Sequence, residues 1–222
     1  MSQLTPTTQR RLGRAAALCY LTTWITSVAA VPLYGGSTFD SGAAPAGRTS
    51  VLLGSLLEVL LAVTVVGTAM ALYPLLRRHG VGSAIGYLAL RTLEAAVILV
   101  GVVAMLPVVS RPATTAASDL SPDVVAGLHL LHDWTFLVGP GLINPANATV
   151  LAVLLWRTRL VPRFIPALGL AGSAIVLGMN MLVMFGRTEV VPALAAPLFA
   201  WEISLAATLA FRGLRAPEVS QP

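Results

Sequence analysis

The stretch Val81–Val109, VGSAIGYLALRTLEAAVILVGVVAMLPVV, decides the fold. Its only charged residues are Arg91 and Glu94. A helix needs about 20 apolar residues to cross a hydrocarbon core, at a rise of about 1.5 Å per residue. This run is longer than that, so it reads as a long, tilted transmembrane helix. Arg91 and Glu94 fall three residues apart near its middle, on one face.

Five further segments meet the same test. The expected spans are about 12–33, 51–76, 81–109, 124–156, 164–185 and 192–211, an all-α six-helix bundle. Residues 1–11 and 213–222 are expected to be short tails. The intervening stretches, such as YGGSTFDSGAAPAGR and SRPATTAASDLSPD, are rich in turn formers. Ser121-Pro122-Asp123 has the form of a helix start, with a hydroxyl cap and a proline in the first turn. Ser27-Val28-Ala29 offers the small residues of a signal-cleavage site. The apolar stretch before it is long for a signal peptide, so the first span is expected to be retained.

Composition agrees. The 222 residues are 56% hydrophobic and 10% charged, where soluble domains are about a quarter charged. Mean hydropathy is +0.83. The pI near 10.3 does not signal nucleic-acid binding, because the arginines sit at the ends of apolar segments and not in one aromatic-laced patch. All 14 basic residues are arginine, which excludes lysine Schiff-base chemistry and suggests a GC-rich, actinobacterial genome. The lone Cys19 permits no intrachain disulfide and reads as a buried, inert thiol.

Counting charge by side orients the bundle. Arg10, Arg11, Arg14, Arg77, Arg78, Arg157, Arg159, Arg163, Arg212 and Arg215 share one side with the termini. Arg48, Arg111 and Arg187 lie on the other, with Asp40, Asp119, Asp123 and Glu189. The positive-inside rule then predicts an N-in, C-in protein of the cell membrane.

That orientation places the unusual residues. Glu58, Arg91, Glu94, His129, His132, Asp133, Asn180 and Glu202 come from five spans, and all fall in the middle or outer half. Ionisable groups in a bilayer are costly, roughly 3 kcal/mol each on insertion scales, so they face the bundle interior and one another. His129, His132, Asp133 and Phe136 recur at helical spacing, and the stripe continues past Pro140 to Asn144 and Asn147. Gly139-Pro140-Gly141 and Asn144-Pro145 are expected to break that helix, which a membrane tolerates beside a polar cavity. Four buried acids face one obligate cation, Arg91. Either the histidines carry protons or some acids stay uncharged.

Plainer readings stand beside these. Arg91 with Glu94 makes a structural ion pair. Glu58 and Glu202 make hydrogen-bonding glue, and Asn180 packs helices. His129 and His132 share a helix face, as metal ligands do, but a lone His-x-x-His is a weak signal. No metal and no cofactor is expected. Trp24, Trp134, Trp156 and Trp201 read as interfacial belt or packing, with Trp134 and Trp201 the two placed to line a pocket. His79 is expected to be solvated.

The chain resembles the bacterial membrane family of domain of unknown function 4386. The likeness spans about Arg10 to Gly213. It is carried by RRLGRAAALCYLTTWITSVAAVPLY, ALYPLLRRHGVGSAIGYLALRTLEAAVILV, GLHLLHDWTFLVGP, LLWRTRLVPRFIPALGLAGSAIVLGMNML and PLFAWEISLAATLAFRG. The resemblance implies that Arg91, Glu94, His132 and Glu202 stand where family members often place similar residues. GPGLINPAN departs from the family's smoother apolar run. The resemblance implies a fold and a location but no activity. Small membrane-bound terpene cyclases also carry carboxylic acids on separate helices, a likeness of layout only.

The expected function is acid–base chemistry, a cyclisation or isomerisation, on a lipophilic small molecule in one polar chamber. The expected catalytic groups are Glu58, Glu202, His132, Asp133, Glu94 and Arg91. The expected substrate-binding residues are His129, Trp134, Phe136, Asn144, Asn147, Asn180 and Trp201. A proton-coupled transporter and a non-catalytic membrane subunit are the alternatives.

Overall fold

The computed structural model describes residues 5–35, 47–109 and 120–214. Among the described residues, six spans are long and apolar enough to cross a membrane: Pro6–Tyr34, Arg48–Leu76, Val81–Val109, Pro122–Thr158, Phe164–Met184 and Pro192–Phe211. They contain helices α1 (Pro6–Ala30), α2 (Arg48–Leu76), α3 (Val81–Val109), α4 (Pro122–Val138), α5 (Asn144–Thr158), α6 (Phe164–Met184) and α7 (Ala196–Phe211). Helix α1 begins at Pro6, inside the segment 1–11 read as the N-terminal tail. Thr5 caps it by accepting from the Thr8 backbone N–H at 3.2 Å, and Pro6 fits the first turn without needing a donor. Arg215, Arg111, Asp40 and Asp119 lie outside the described residues.

The spans pack in chain order and close into a ring. Span 1 meets span 2, span 2 meets span 3, and span 3 meets both α4 and α5. α5 then meets α6, α6 meets α7, and α7 returns to α1. Outward faces carry Leu18, Ile25, Leu56, Val63, Val103 and Phe185, the composition lipid tails accept.

Lipid is as apolar as leucine, so burying aliphatics does not drive these helices together. Close backbone approach does. A Cβ on Gly172 of α6 would come within 2.5 Å of the Leu198 nitrogen on α7, and one on Gly169 would meet the Trp201 ring at 2.7 Å. Gly13 of α1 likewise faces the Leu209 carbonyl. Gly172→Val is therefore expected to lower the unfolding temperature in detergent, at a cost of about 1–3 kcal/mol from overpacking. Gly178→Val, where a Cβ would meet nothing within 4 Å, serves as the neutral control. Equal melting of the two variants would contradict this packing.

The fourth span does not break where its prolines fall. Pro140 and Pro145 lack N–H donors, and the helix absorbs the loss as one wide turn over Gly139–Ile143. There the Asn144 N–H donates to the Gly139 carbonyl five residues back. Such π-turns recur at functional sites. The turn changes the phase of the helix, so residues after it face different neighbours from residues before it.

Candidate functional site

Among the described residues, the buried Arg, Glu and His side chains form two clusters, not one chamber. The first surrounds Arg91, which is 3% exposed. Its Nη1 donates to Glu94 Oε2 at 3.2 Å, and its Nε donates to the Tyr87 hydroxyl at 3.2 Å. Its Nη2 lies 3.9 Å from Glu202 Oε1. The Tyr87 and Tyr20 hydroxyls are 2.9 Å apart, and the guanidinium sits over both rings at 5.7 and 5.5 Å. Asn147 Nδ2 donates to Glu94 Oε2 at 2.6 Å, and Asn144 lies against Glu202. One guanidinium thus stands between two carboxyl groups, so the network is electrically neutral when it holds one proton.

The second cluster ties the C-terminal end of span 1 to α2 and α4. His132 Nε2 lies 3.0 and 3.2 Å from the two Glu58 oxygens. The Tyr34 hydroxyl donates to Glu58 Oε2 at 2.8 Å, and the Ser55 hydroxyl lies 3.2 Å from the Tyr34 oxygen, which can accept from it. His132 Nδ1 faces Asp133 Oδ1 at 3.4 Å. The imidazole is stacked between Tyr34 and Phe136, with ring centres 4.3 and 5.0 Å away. Gly101 of α3 leaves room for Thr135 and the imidazole: a Cβ there would run into Thr135 Oγ1 and meet His132 Cδ2 at 3.3 Å.

Apolar side chains separate the clusters. Leu61, Ala62, Val65, Ala95 and Ile98 pack together, with Phe136 against them. Along α3, Glu94 and Gly101 are about 10 Å apart at a rise of about 1.5 Å per residue.

A cavity of about 120 Å3 lies where all six spans meet. Its polar wall is Thr23, Ser27, Arg91, Glu94, Asn144 and Glu202. Its apolar wall includes Trp24, Leu61, Ile98, Val176 and Phe199. Glu202 is the more loosely held carboxyl, with its side chain 12% exposed, while Glu94 is clamped by Arg91 and Asn147.

This geometry corrects several expectations. Glu58, His132 and Asp133 do not line the cavity. The fourth-span stripe does not face one way: His132 turns to α2, whereas Asn144 and Asn147, past the π-turn, turn to Glu202 and Glu94. His129 is half-buried and is not among the cavity's lining residues. Neither Trp134 nor Trp201 lines the cavity; Trp201 is 1% exposed and packs on Gly169. Trp24, read as belt or packing, lines it instead, with Phe199 edge-on at 5.7 Å. Asn180 packs helices, donating to the Val176 carbonyl at 2.9 Å and lying against Gly141. His79 is half-buried, not solvated, and burial with neighbouring Arg78 lowers its pKa. Among the described residues no group of three His, Cys, Asp or Glu side chains is arranged to hold a metal ion.

The sequence reading missed Tyr20, Tyr34 and Tyr87. Tyr87 carried a signal, standing one helical turn before Arg91. Tyr20 and Tyr34 carried none, because their partners lie on other spans.

No curated protein and no solved structure matches the chain significantly. The family model described as domain of unknown function (DUF4386) matches residues 15–213. With nearly the whole bundle matched, the chain belongs to the DUF4386 family, as the likeness of its spans and its central Arg91 and Glu94 implied.

Proposed function

We propose that this multi-pass protein is an intramembrane acid–base enzyme, a cyclase or isomerase acting on a lipophilic molecule in the central cavity. The observation that carries this reading is Glu202: a carboxyl group at the cavity wall, beside a second carboxyl and a fully buried arginine, among apolar surfaces. The protonated carboxyl at Glu202 gives its proton to an alkene, epoxide or carbonyl. Glu94, held as the carboxylate by Arg91 and Asn147, removes a proton elsewhere. One proton enters the substrate and one leaves, so the product is an isomer of the substrate. The walls exclude water from a cationic intermediate, and the Trp24 and Phe199 rings stabilise it. Glu58, His132 and Asp133 hold the bundle and take no part in the chemistry.

The size of the cavity constrains the substrate. A cavity of about 150 Å3 accepts benzene, so about 120 Å3 takes only the reacting end of a long lipophile.

We place the protein in the cell membrane with both termini inside. The end of the bundle that carries the described termini holds Arg10, Arg11, Arg14, Arg77, Arg78, Arg157, Arg159, Arg163 and Arg212. The opposite end holds Arg48, Arg187, Asp123 and Glu189. The charge bias favours the first end as cytoplasmic. The cavity then belongs to the outer half. Leu72, Leu76, Leu151, Leu155, Leu205 and Leu209, all fully buried, fill the bundle on the inner side. A proton-coupled carrier would have to open that plug, which disfavours the transport alternative.

The test compares lipid extracts of cells expressing the wild type and Glu202→Gln. A lipophile formed only with the wild type, while both proteins accumulate and melt alike, is the expected result. Identical extracts would refute the enzymatic reading.

A further inference from the structure

Three arginines, Arg157, Arg159 and Arg163, stand exposed on the turn that joins α5 to α6. The turn is pinned from within. Leu160 and Val161 are each 1% exposed and belong to the main apolar core, and Ile165 follows them into it. Arg163 reaches back across the turn, its guanidinium 5.6 Å from the centre of the Trp156 ring on α5. Arg159 has a φ of 54°, and it is the one non-glycine residue with positive φ among the described residues. Glycine takes that conformation at Gly35, Gly186 and Gly213, because an L side chain there crowds the next carbonyl. The turn thus accepts backbone strain to keep an arginine. No Asp or Glu among the described residues lies at this end of the bundle, where nine arginines gather.

Orienting a bundle requires arginines somewhere at one end. It does not require three on one pinned turn, one of them strained. Like charges held close repel, and a bound anion removes the repulsion. The flanking residues tell what carries the anion. Trp156 and Phe164, at the two ends of the turn, are 40% and 60% exposed. They close span 4 and open span 5, the level at which aromatic rings meet headgroups and the first carbons of the acyl chains. A soluble phosphate would leave both rings unused. A zwitterionic headgroup would bring its own cation against the arginines. An anionic phospholipid offers a phosphodiester to the guanidinium forks and acyl chains to the rings. We propose that the α5–α6 turn binds the headgroup of an anionic glycerophospholipid, with Arg157, Arg159 and Arg163 on the phosphate and Trp156 and Phe164 against the chains. The turn lies about 20 Å along α5 from Asn144 at the cavity, at a rise of about 1.5 Å per residue, so this site is independent of the enzymatic reading.

The test uses the full-length protein, delipidated in a neutral detergent, with native mass spectrometry counting bound lipid. The probes are dioleoyl phosphatidylglycerol, dioleoyl phosphatidylcholine and inorganic pyrophosphate. The wild type is expected to bind the phosphatidylglycerol about tenfold more tightly than the phosphatidylcholine, the worth of one or two interfacial arginines. Arg159→Gly is expected to weaken phosphatidylglycerol binding severalfold while the protein melts at or above the wild-type temperature, because glycine relieves the strained turn. Adding Arg157→Gln and Arg163→Gln is expected to erase the preference. Arg10→Gln with Arg11→Gln, which removes two exposed arginines from the same end, is expected to leave it intact. Three results would overturn the proposal. The two lipids could bind alike. The preference could fall as far in the Arg10 and Arg11 variant as in Arg159→Gly, which would make the attraction a property of the whole charged end. Pyrophosphate could displace the lipid at equal concentration, which would assign the turn to a soluble phosphate.

Discussion

Arg91→Met is expected to lower bundle stability by about 3–5 kcal/mol, the cost of removing one partner from a buried ionic cluster. The size of the effect comes from what remains. Methionine fills the space of the stem but leaves Glu94 and Glu202 facing each other without a cation, and it strips Tyr87 of its donor. The aromatic shelf made by Tyr20 and Tyr87 loses the guanidinium it holds. Arg91→Lys keeps the charge but not the planar fork that reaches Tyr87, Glu94 and Glu202 together, so it is expected to fall between the two. The diagnostic variant is Arg91→Met with Glu94→Gln and Glu202→Gln. With both acids neutral the uncompensated charge disappears, and much of the lost stability should return. Thermal unfolding in detergent measures all four proteins. An Arg91→Met variant that melts with the wild type would show that the cluster bears no net stabilising coupling.

The second large effect concerns the Glu58–His132 tie. Among the described residues, His132→Ala leaves the buried Glu58 carboxyl with the Tyr34 hydroxyl as its remaining hydrogen-bond partner, and opens a space between Tyr34 and Phe136. The expected cost is about 3 kcal/mol, from a stranded buried acid together with a cavity. Glu58→Gln alone is expected to cost less, because the amide still bonds to Tyr34 and His132. In a double-mutant cycle the two positions should couple by more than about 1 kcal/mol. The same variant separates structure from chemistry. Glu58→Gln should retain the product that Glu202→Gln loses. If both changes abolish the product in folded protein, the two clusters act as one catalytic unit across the Leu61–Ile98 layer.

The spans themselves were legible in the sequence to within a few residues, because twenty apolar residues in a row have few other fates. The buried character of Arg91, Glu94, Glu58 and His132 was legible for the same reason: a charge in the middle of such a run has nowhere to go but inward. Their pairing was not legible. Helical periodicity joined His132 to Asn144 and Asn147 as one stripe. The π-turn at Gly139–Ile143 then rotated the second half onto different partners. Phase is a tertiary quantity here, since two prolines can break a helix, kink it or widen one turn. The tryptophans show the same limit. Trp134 stands next to Asp133 and Trp201 next to Glu202, but neighbours in sequence on a helix point about 100° apart. Trp24, with no charged residue near it in sequence, reached the cavity because α1 closes the ring against α7.

Hydropathy and charge, read along the chain alone, were enough to establish a six-span helical protein and to name the polar residues that must hide from lipid. Burial of each residue in such a protein is a local property, set by the cost of exposing charge to hydrocarbon. Tertiary structure decided which of those residues meet. It divided four acids between two clusters, put Glu94 and Glu202 on either side of Arg91 at a cavity, and closed Glu58 against His132 and Tyr34. Contact depends on helix phase and on how closely glycine seams let the backbones approach, and neither is written in any single segment.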